Sequence, residues 1–194
     1  MDQGFEQLKH YIGLVQPLSE KDWLGFAAIW EPYQAKRKEM LTVRGQTERY
    51  LYFVLEGAQR VFYLDAEGRE ATLVFTYAPS FGGVLDAMLQ QEPSSYYYET
   101  LTTSRFLRCP FSALLELQKS HPAIQEFVLK SLTRAFAGLL TRMAQLQCFS
   151  AQEKFQALFQ RSPQLLNQVP HKYLANYLGI DASNFSKFLN NQHI

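Results

Sequence analysis

The stretch VPHKYLANYLGIDASNFSKFLNNQ, residues 169–192, carries the densest local pattern in the chain. Pro170 can open a helix, where its missing N–H is no loss. Tyr173, Leu174, Tyr177 and Leu178 then recur at helical spacing on the inner side. Gly179 follows the last apolar pair as a C′ glycine would, ending the helix in the left-handed region. Ile180 reads as a buried pivot, and Asp181 is a suitable N-cap for a second helix. That second helix turns Phe185, Phe188 and Leu189 inward and leaves Ala182, Ser183, Ser186, Lys187 and Asn190 outside.

The spacing has a steric logic. Ala175 is small where two helices cross closely, Gly179 makes the tight turn, and Phe185 and Phe188 clamp the second helix onto the first. This is the helix-turn-helix arrangement, which presents its second helix to a major groove. The outward residues are short and polar with one cation, suited to base edges and phosphates. The candidate DNA contacts are Lys172, Ala182, Ser183, Asn184, Ser186, Lys187 and Asn190. Residues 151–194 hold four Lys/Arg against two Asp/Glu, so phosphate contacts per subunit are few and a second copy is needed for useful affinity. A helical hairpin that only packs is the alternative reading.

Working towards the N-terminus, Ser150 and Glu153 (S-A-Q-E) form a capping box for a helix through Gln160. Residues 111–147 read as helical, with Pro122 in the first turn of a long helix. Its apolar stripe runs through Ile124, Phe127, Val128, Leu132, Phe136, Leu139, Leu140, Met143 and Leu146. About seven turns are more than a small barrel can cover, so the stripe fits a dimer interface as well as an intrachain core. From Tyr33 to Arg108 the period changes to that of strands. YLYFVLEG is bounded by Gly57, QRVFYLDAEGREATLVFTY reads as a hairpin around Asp65–Gly68, and YYYETLTTSRFLR supplies two more strands. Phe5, Leu8, Ile12 and Val15 mark a first amphipathic helix. Ser19 and Asp22 open a second, expected to run through Trp30 and end at Pro32.

Composition narrows the function classes. With 47% hydrophobic and 19% charged residues among 194, a packed core is expected and disorder is not. A formal net charge of +1 means that any nucleic-acid contact must be local. Cys109 and Cys148 are too few for a disulfide framework and read as structural thiols. The histidines at 10, 121, 171 and 193 lack metal-ligand spacing. No apolar run approaches the ~18 residues of a membrane span. A cytoplasmic protein without membrane contact or metal is expected, and catalysis on the barrel has no His, Glu or Asp cluster to support it.

The segment PSFGGVLDAMLQQEPSSYYYETL, residues 79–101, is the other candidate site. A glycine turn leading into a short helix can offer N–H groups to an anion. The candidate effector residues are Phe81, Gly82, Gly83, Val84, Leu85, Ser94 and Ser95.

A β-barrel, a long helix and a C-terminal helix-turn-helix, in that order over nearly the whole chain, resemble the CRP/FNR family of bacterial transcription regulators. The stretches that carry the likeness are YLYFVLEGAQRVFYLDAEGREATL, PSFGGVL, SAQEKFQALFQRSPQLLNQVP and YLANYLGIDASNFSKFL; the wording VPHKYLANYLGI is similar to members common in Bacteroidetes. The expected class is α+β: a cyclic-nucleotide-binding-like antiparallel barrel or jelly roll at 1–110, a long dimerisation helix at 111–148 and a helix-turn-helix domain at 149–194. The resemblance implies a homodimer on double-stranded DNA, reading bases through Ala182, Ser183 and Lys187. RNA polymerase and an unidentified small-molecule effector are further candidate partners.

Cyclic-nucleotide-binding members carry a glutamate after the Phe-Gly of the cassette and an arginine further on. Here Gly83 stands at the first position and Ser94 or Ser95 at the second. Loss of an arginine–phosphate pair leaves the anion's charge uncompensated, and Asp86 adds repulsion. Cyclic AMP is therefore not expected, and no cofactor is assigned. Three readings of the segment stay open: a site packed shut, a less charged ligand stacked on the tyrosines, and a partner or redox role. For the whole chain, the alternative to a regulator is a sensor or interaction protein with a degenerate helix-turn-helix.

Overall fold

Successive side chains of a strand point to opposite faces, so each strand of a buried sheet feeds two cores. The computed structural model describes residues 3–191 and shows this sorting directly. Its strands are β1 (Glu31–Ala35), β2 (Met40–Thr42), β3 (Tyr50–Glu56), β4 (Ala58–Leu64), β5 (Glu70–Tyr77), β6 (Ser80–Gly82), β7 (Tyr97–Thr100) and β8 (Ser104–Pro110). They form two antiparallel four-stranded sheets, ordered β1-β8-β3-β6 and β2-β7-β4-β5. Tyr52 and Val54 of β3, Val61 of β4, Tyr98 of β7 and Phe106 of β8 meet between the sheets. Their neighbours in sequence face away.

On the first sheet the outward set is Phe53, Leu107 and Cys109. These are covered by α1 (Gln3–Gly13), α2 (Glu20–Ala27), α4 (Phe111–Gln118) and the first turns of α5 (Pro122–Cys148). On the second sheet Ala58, Phe75 and Tyr77 face out and are covered by the C-terminal helices α6 (Ala151–Arg161), α7 (Leu165–Gln168), α8 (His171–Leu178) and α9 (Ala182–Asn191). The molecule is thus four layers deep: helices, sheet, sheet, helices. With a rise of about 1.5 Å per residue, α5 spans about 40 Å, and it runs from the outer helical layer to the C-terminal one.

The caps explain several boundaries. The Ser19 hydroxyl accepts from the Asp22 N–H at 3.1 Å, fixing the start of α2. The expected capping box at Ser150 and Glu153 is present in both directions. Two expectations are corrected. The second helix ends at Ala27, not Trp30: the chain leaves it through turns at residues 28–29, and Pro32, with no N–H to give, sits inside β1. Residues 111–148 form two helices, because the chain turns at residues 119–121 and α5 begins at Pro122.

Within α5, Ile124, Phe127 and Arg142 are buried. Leu129 and Phe136 are each 62% exposed, and Leu139, Leu140 and Met143 about half exposed. Most of the apolar stripe therefore lies uncovered within one chain.

Candidate nucleic-acid interface

The turn between α8 and α9 is made by Gly179 at φ +62°. The Gly179 and Ile180 N–H groups cap the end of α8 on the Asn176 and Ala175 carbonyls, at 3.0 and 3.1 Å. A Cβ on Gly179 would meet only Leu146 at 3.7 Å, an ordinary contact, so it is the backbone angle that requires glycine there. Phe185 is wholly buried, with its ring 5.3 Å from Phe155 and 5.4 Å from His171. Phe188 lies 5.7 Å from Phe155. These contacts fix the rotation of α9. They leave Ala182, Ser183, Ser186, Lys187 and Asn190 on its outward side, with Asn184 half-buried. Ile180, expected as a buried pivot, is only partly covered. Lys172 is exposed on the first turn of α8, its ammonium 4.8 Å from the Tyr173 ring. The expected contact set thus falls on one helix and the start of the preceding one.

The inner face of α8 is tied to the barrel by polar groups. The Asn176 carboxamide accepts from the Thr72 N–H at 2.5 Å and donates to the Glu70 carbonyl at 2.7 Å, pairing with the edge strand β5 as another strand would. The Arg60 guanidinium lies 3.7 Å from the Tyr173 ring and pairs with Glu99 at 2.9 Å and Glu70 at 2.6 Å. Those carboxylates outweigh burial and hold the Arg60 guanidinium above its ordinary value, so it stays charged. Arg142 of α5, buried beneath Tyr177, donates to the Tyr177 carbonyl in the last turn of α8 and stacks 4.0 Å from its ring. Burial lowers the Arg142 guanidinium from its ordinary value. No part of this coupling was legible from the outward face of α9.

The second candidate site is divided. Phe81 points out of the sandwich, 5.9 Å from Trp30, 5.2 Å from Phe53 and 5.7 Å from Phe127. Val84 points inward. Gly82 is paired in β6, and a Cβ there would overlap the Tyr98 hydroxyl. Tyr98 is fully buried and shares a hydrogen bond with Thr76 at 2.9 Å, so one tyrosine of the triplet fills the space beside the glycine turn. Gly83, at φ +132°, leads into α3 (Leu85–Gln90). Ser94 is buried, its hydroxyl folded onto the Tyr96 backbone, while Ser95 is exposed.

A residue not anticipated completes this region. Glu48 is 2% exposed, and its carboxylate accepts from the Thr42 hydroxyl, the Tyr50 N–H at 3.2 Å and the Val84 N–H at 3.4 Å. The glycine turn thus already directs a backbone N–H at an internal anion. Burial raises the Glu48 carboxyl above its ordinary value despite these bonds. In the sequence Glu48 sits between Thr47 and Arg49 without a motif, and nothing local distinguishes it from a surface glutamate.

Comparison with known proteins follows the same outline. Residues 32–121 match the cyclic nucleotide-binding domain family. FixK2 from Bradyrhizobium japonicum superposes with a TM-score of 0.77 at 14% identity, covering 85% of each chain. The c-di-GMP-responsive regulator CLP from Xanthomonas campestris gives 0.65 at 14%, covering 89% of this chain and 91% of its own. A CRP/FNR-family structure from Eubacterium rectale gives 0.69 at 14%, covering 90% and 83%. The fold is that of the CRP/FNR regulators. No curated protein matches the chain in sequence. Among the described residues, no helix is long and apolar enough to cross a membrane, and no three His, Cys, Asp or Glu are grouped to hold a metal.

Proposed function

We propose that this protein is a sequence-specific DNA-binding transcription regulator of the CRP/FNR type, acting as a homodimer without cyclic AMP. The observation that carries the reading is the outward face of α9. Short polar residues and Lys187 are exposed along a helix whose other side is clamped by Phe185 and Phe188. Such a surface fits a major groove, where short side chains reach base edges and a lysine reaches phosphate or guanine. The uncovered stripe on α5 supports pairing with a second copy, which would double the contacts made by a lightly charged reading head. Glu48 and Tyr98 support independence from cyclic AMP: a phosphate at the Val84 N–H would meet a carboxylate, and the neighbouring space is filled.

The test is selection of genomic duplexes by the full chain, followed by gel shift at low salt. A shared motif should be enriched. Lys187→Ala combined with Ser183→Ala should weaken binding to it, and saturating cyclic AMP should leave the wild-type shift unchanged. Enrichment of no motif would favour instead a sensor that keeps the fold and has lost DNA output.

A further inference from the structure

Between the barrel and the start of α8 lies a groove of about 570 Å³, a size that suits a small molecule. Its floor is apolar: Leu101 of the barrel meets Leu166 and Val169 of the helical domain, all three buried. Its rim is polar, with Arg37 and Thr103 on the barrel side and Asn167 and His171 on the other. No Asp or Glu lines it. The carboxylates of the adjoining strands are engaged elsewhere. Glu39 accepts from the Tyr33 hydroxyl at 3.0 Å and the Lys36 N–H at 2.9 Å, and Glu99 takes Arg60 at 2.9 Å and Lys38 at 3.3 Å. Arg37 thus stands over an apolar floor without a counter-charge among the described residues.

The walls are held together by bonds of their own. Lys38, next to Arg37, donates to the hydroxyl of Tyr173, two residues beyond His171, at 2.8 Å. The turn between β7 and β8 is pinned as well: the Leu101 N–H donates to the Ala58 carbonyl at 2.8 Å, and the Ala58 N–H donates to the Thr102 hydroxyl at 2.9 Å. The groove is therefore formed before anything enters it, which spares a ligand the cost of assembling it.

We propose that this groove is an effector site for a small organic acid with an apolar body, its carboxylate paired with Arg37. The guanidinium fork matches a planar carboxylate, and the apolar body would cover Leu101, Leu166 and Val169. Arg37 is the one permanent cation in the lining, so a single negative charge is matched and a doubly charged phosphate is not. His171 gives the site a route to α9. Its ring lies 5.4 Å from that of Phe185, the buried residue that sets the rotation of the helix. A ligand seated against His171 therefore bears on the outward face of α9 without touching it. The effector role rests on the DNA-binding reading above; the binding step does not.

The test titrates the full chain with 2-naphthoate and with the uncharged 2-naphthamide, followed by calorimetry and by backbone N–H chemical shifts. The naphthoate should bind saturably and move the signals of Thr103, Asn167 and His171, together with those of Ser183 and Ser186 on α9. The naphthamide should bind about tenfold more weakly or worse. Arg37→Gln should lower naphthoate affinity about tenfold and leave naphthamide affinity unchanged. Thr103→Trp, at an exposed position, should block both compounds. Equal affinity of the two compounds for the wild type would overturn the proposal, as would naphthoate binding insensitive to Arg37→Gln. Absence of saturable binding, or binding that leaves the α9 signals in place, would overturn it too. If the wild type enriches no DNA motif, the DNA-binding reading fails while these titrations stand, so the two failures are distinguishable.

Discussion

Glu48 shows how a single residue can answer a question that a motif leaves open. Burial holds its carboxyl above the ordinary value of 4.5, so the folded chain keeps this proton at pH values where the unfolded chain has released it. The contribution of Glu48 to stability is therefore present at low pH and declines as pH rises from 4.5 through the higher folded value. That is opposite in sign to a salt-bridged carboxylate. Glu48→Gln should abolish the decline: thermal melts from pH 4.5 upwards should show the variant gaining on the wild type as pH rises. A constant difference across the range would place the burden elsewhere. Gly82 gives a second residue-scale prediction. The Tyr98 oxygen overlaps the position a Cβ would take, and the ring carbon behind it stands 3.1 Å away, so Gly82→Ala should cost about 1–3 kcal/mol through overpacking. Adding Tyr98→Phe should recover part of that in urea unfolding, because the oxygen is the closest atom. Simple additivity of the two losses would refute the contact.

Among the elements, α8 is the one whose two faces have different duties. One supports α9, and the other holds the barrel through Asn176, Tyr173 and Tyr177. Asn176→Ala improves helix propensity by roughly 0.7 kcal/mol but strands the Thr72 N–H and the Glu70 carbonyl, at about 1–3 kcal/mol. The second effect should win. Net destabilisation is expected, with faster hydrogen exchange at the Thr72 amide while the helix content holds; unaltered exchange there would discount the pairing with β5. Sequence alone locates this helix, its glycine stop and the aromatic clamp of α9, because those depend on neighbours within about two turns. It places β3, β4, β5, β7, β8 and the Ser19 and Ser150 caps for the same reason, but not β1, β2 and β6, whose short runs carry too little local pattern. It does not reveal Asn176 against β5, Arg60 on Tyr173 or Glu48 beneath Val84, since each joins positions far apart in the chain. The expected extension of α2 to Trp30 fails because Trp30 is buried against Phe26 and Phe81, which imitates an apolar helical stripe without being one.

At the scale of the molecule, α5 sets the architecture. It leaves the barrel at Ile124 and Phe127, exposes its middle, and meets the C-terminal helices again at Arg142. The exposed middle is the surface on which the proposed pairing of two copies depends. Phe136→Glu with Leu139→Lys should therefore yield a monomer in light scattering after size exclusion, with each chain retaining its circular dichroism. A dimer that survives both charges would move the interface off α5. The proposed pairing should also tighten DNA binding, since two copies of α9 would share one duplex.

The arrangement of β5 has a further consequence. It is the outer strand of its sheet, and its backbone at Glu70 and Thr72 is satisfied by one side chain of the helical domain. Phe75 and Tyr77, on the same strand, are shielded by that domain too. A chain ending at residue 149 would bare an unpaired strand edge flanked by aromatic rings, a template for intermolecular strand addition. Such a barrel should precipitate or form aggregates on standing while the whole chain stays dispersed. Beyond the role proposed for α9, the C-terminal helices then act as a built-in solubility guard for the domain that carries them.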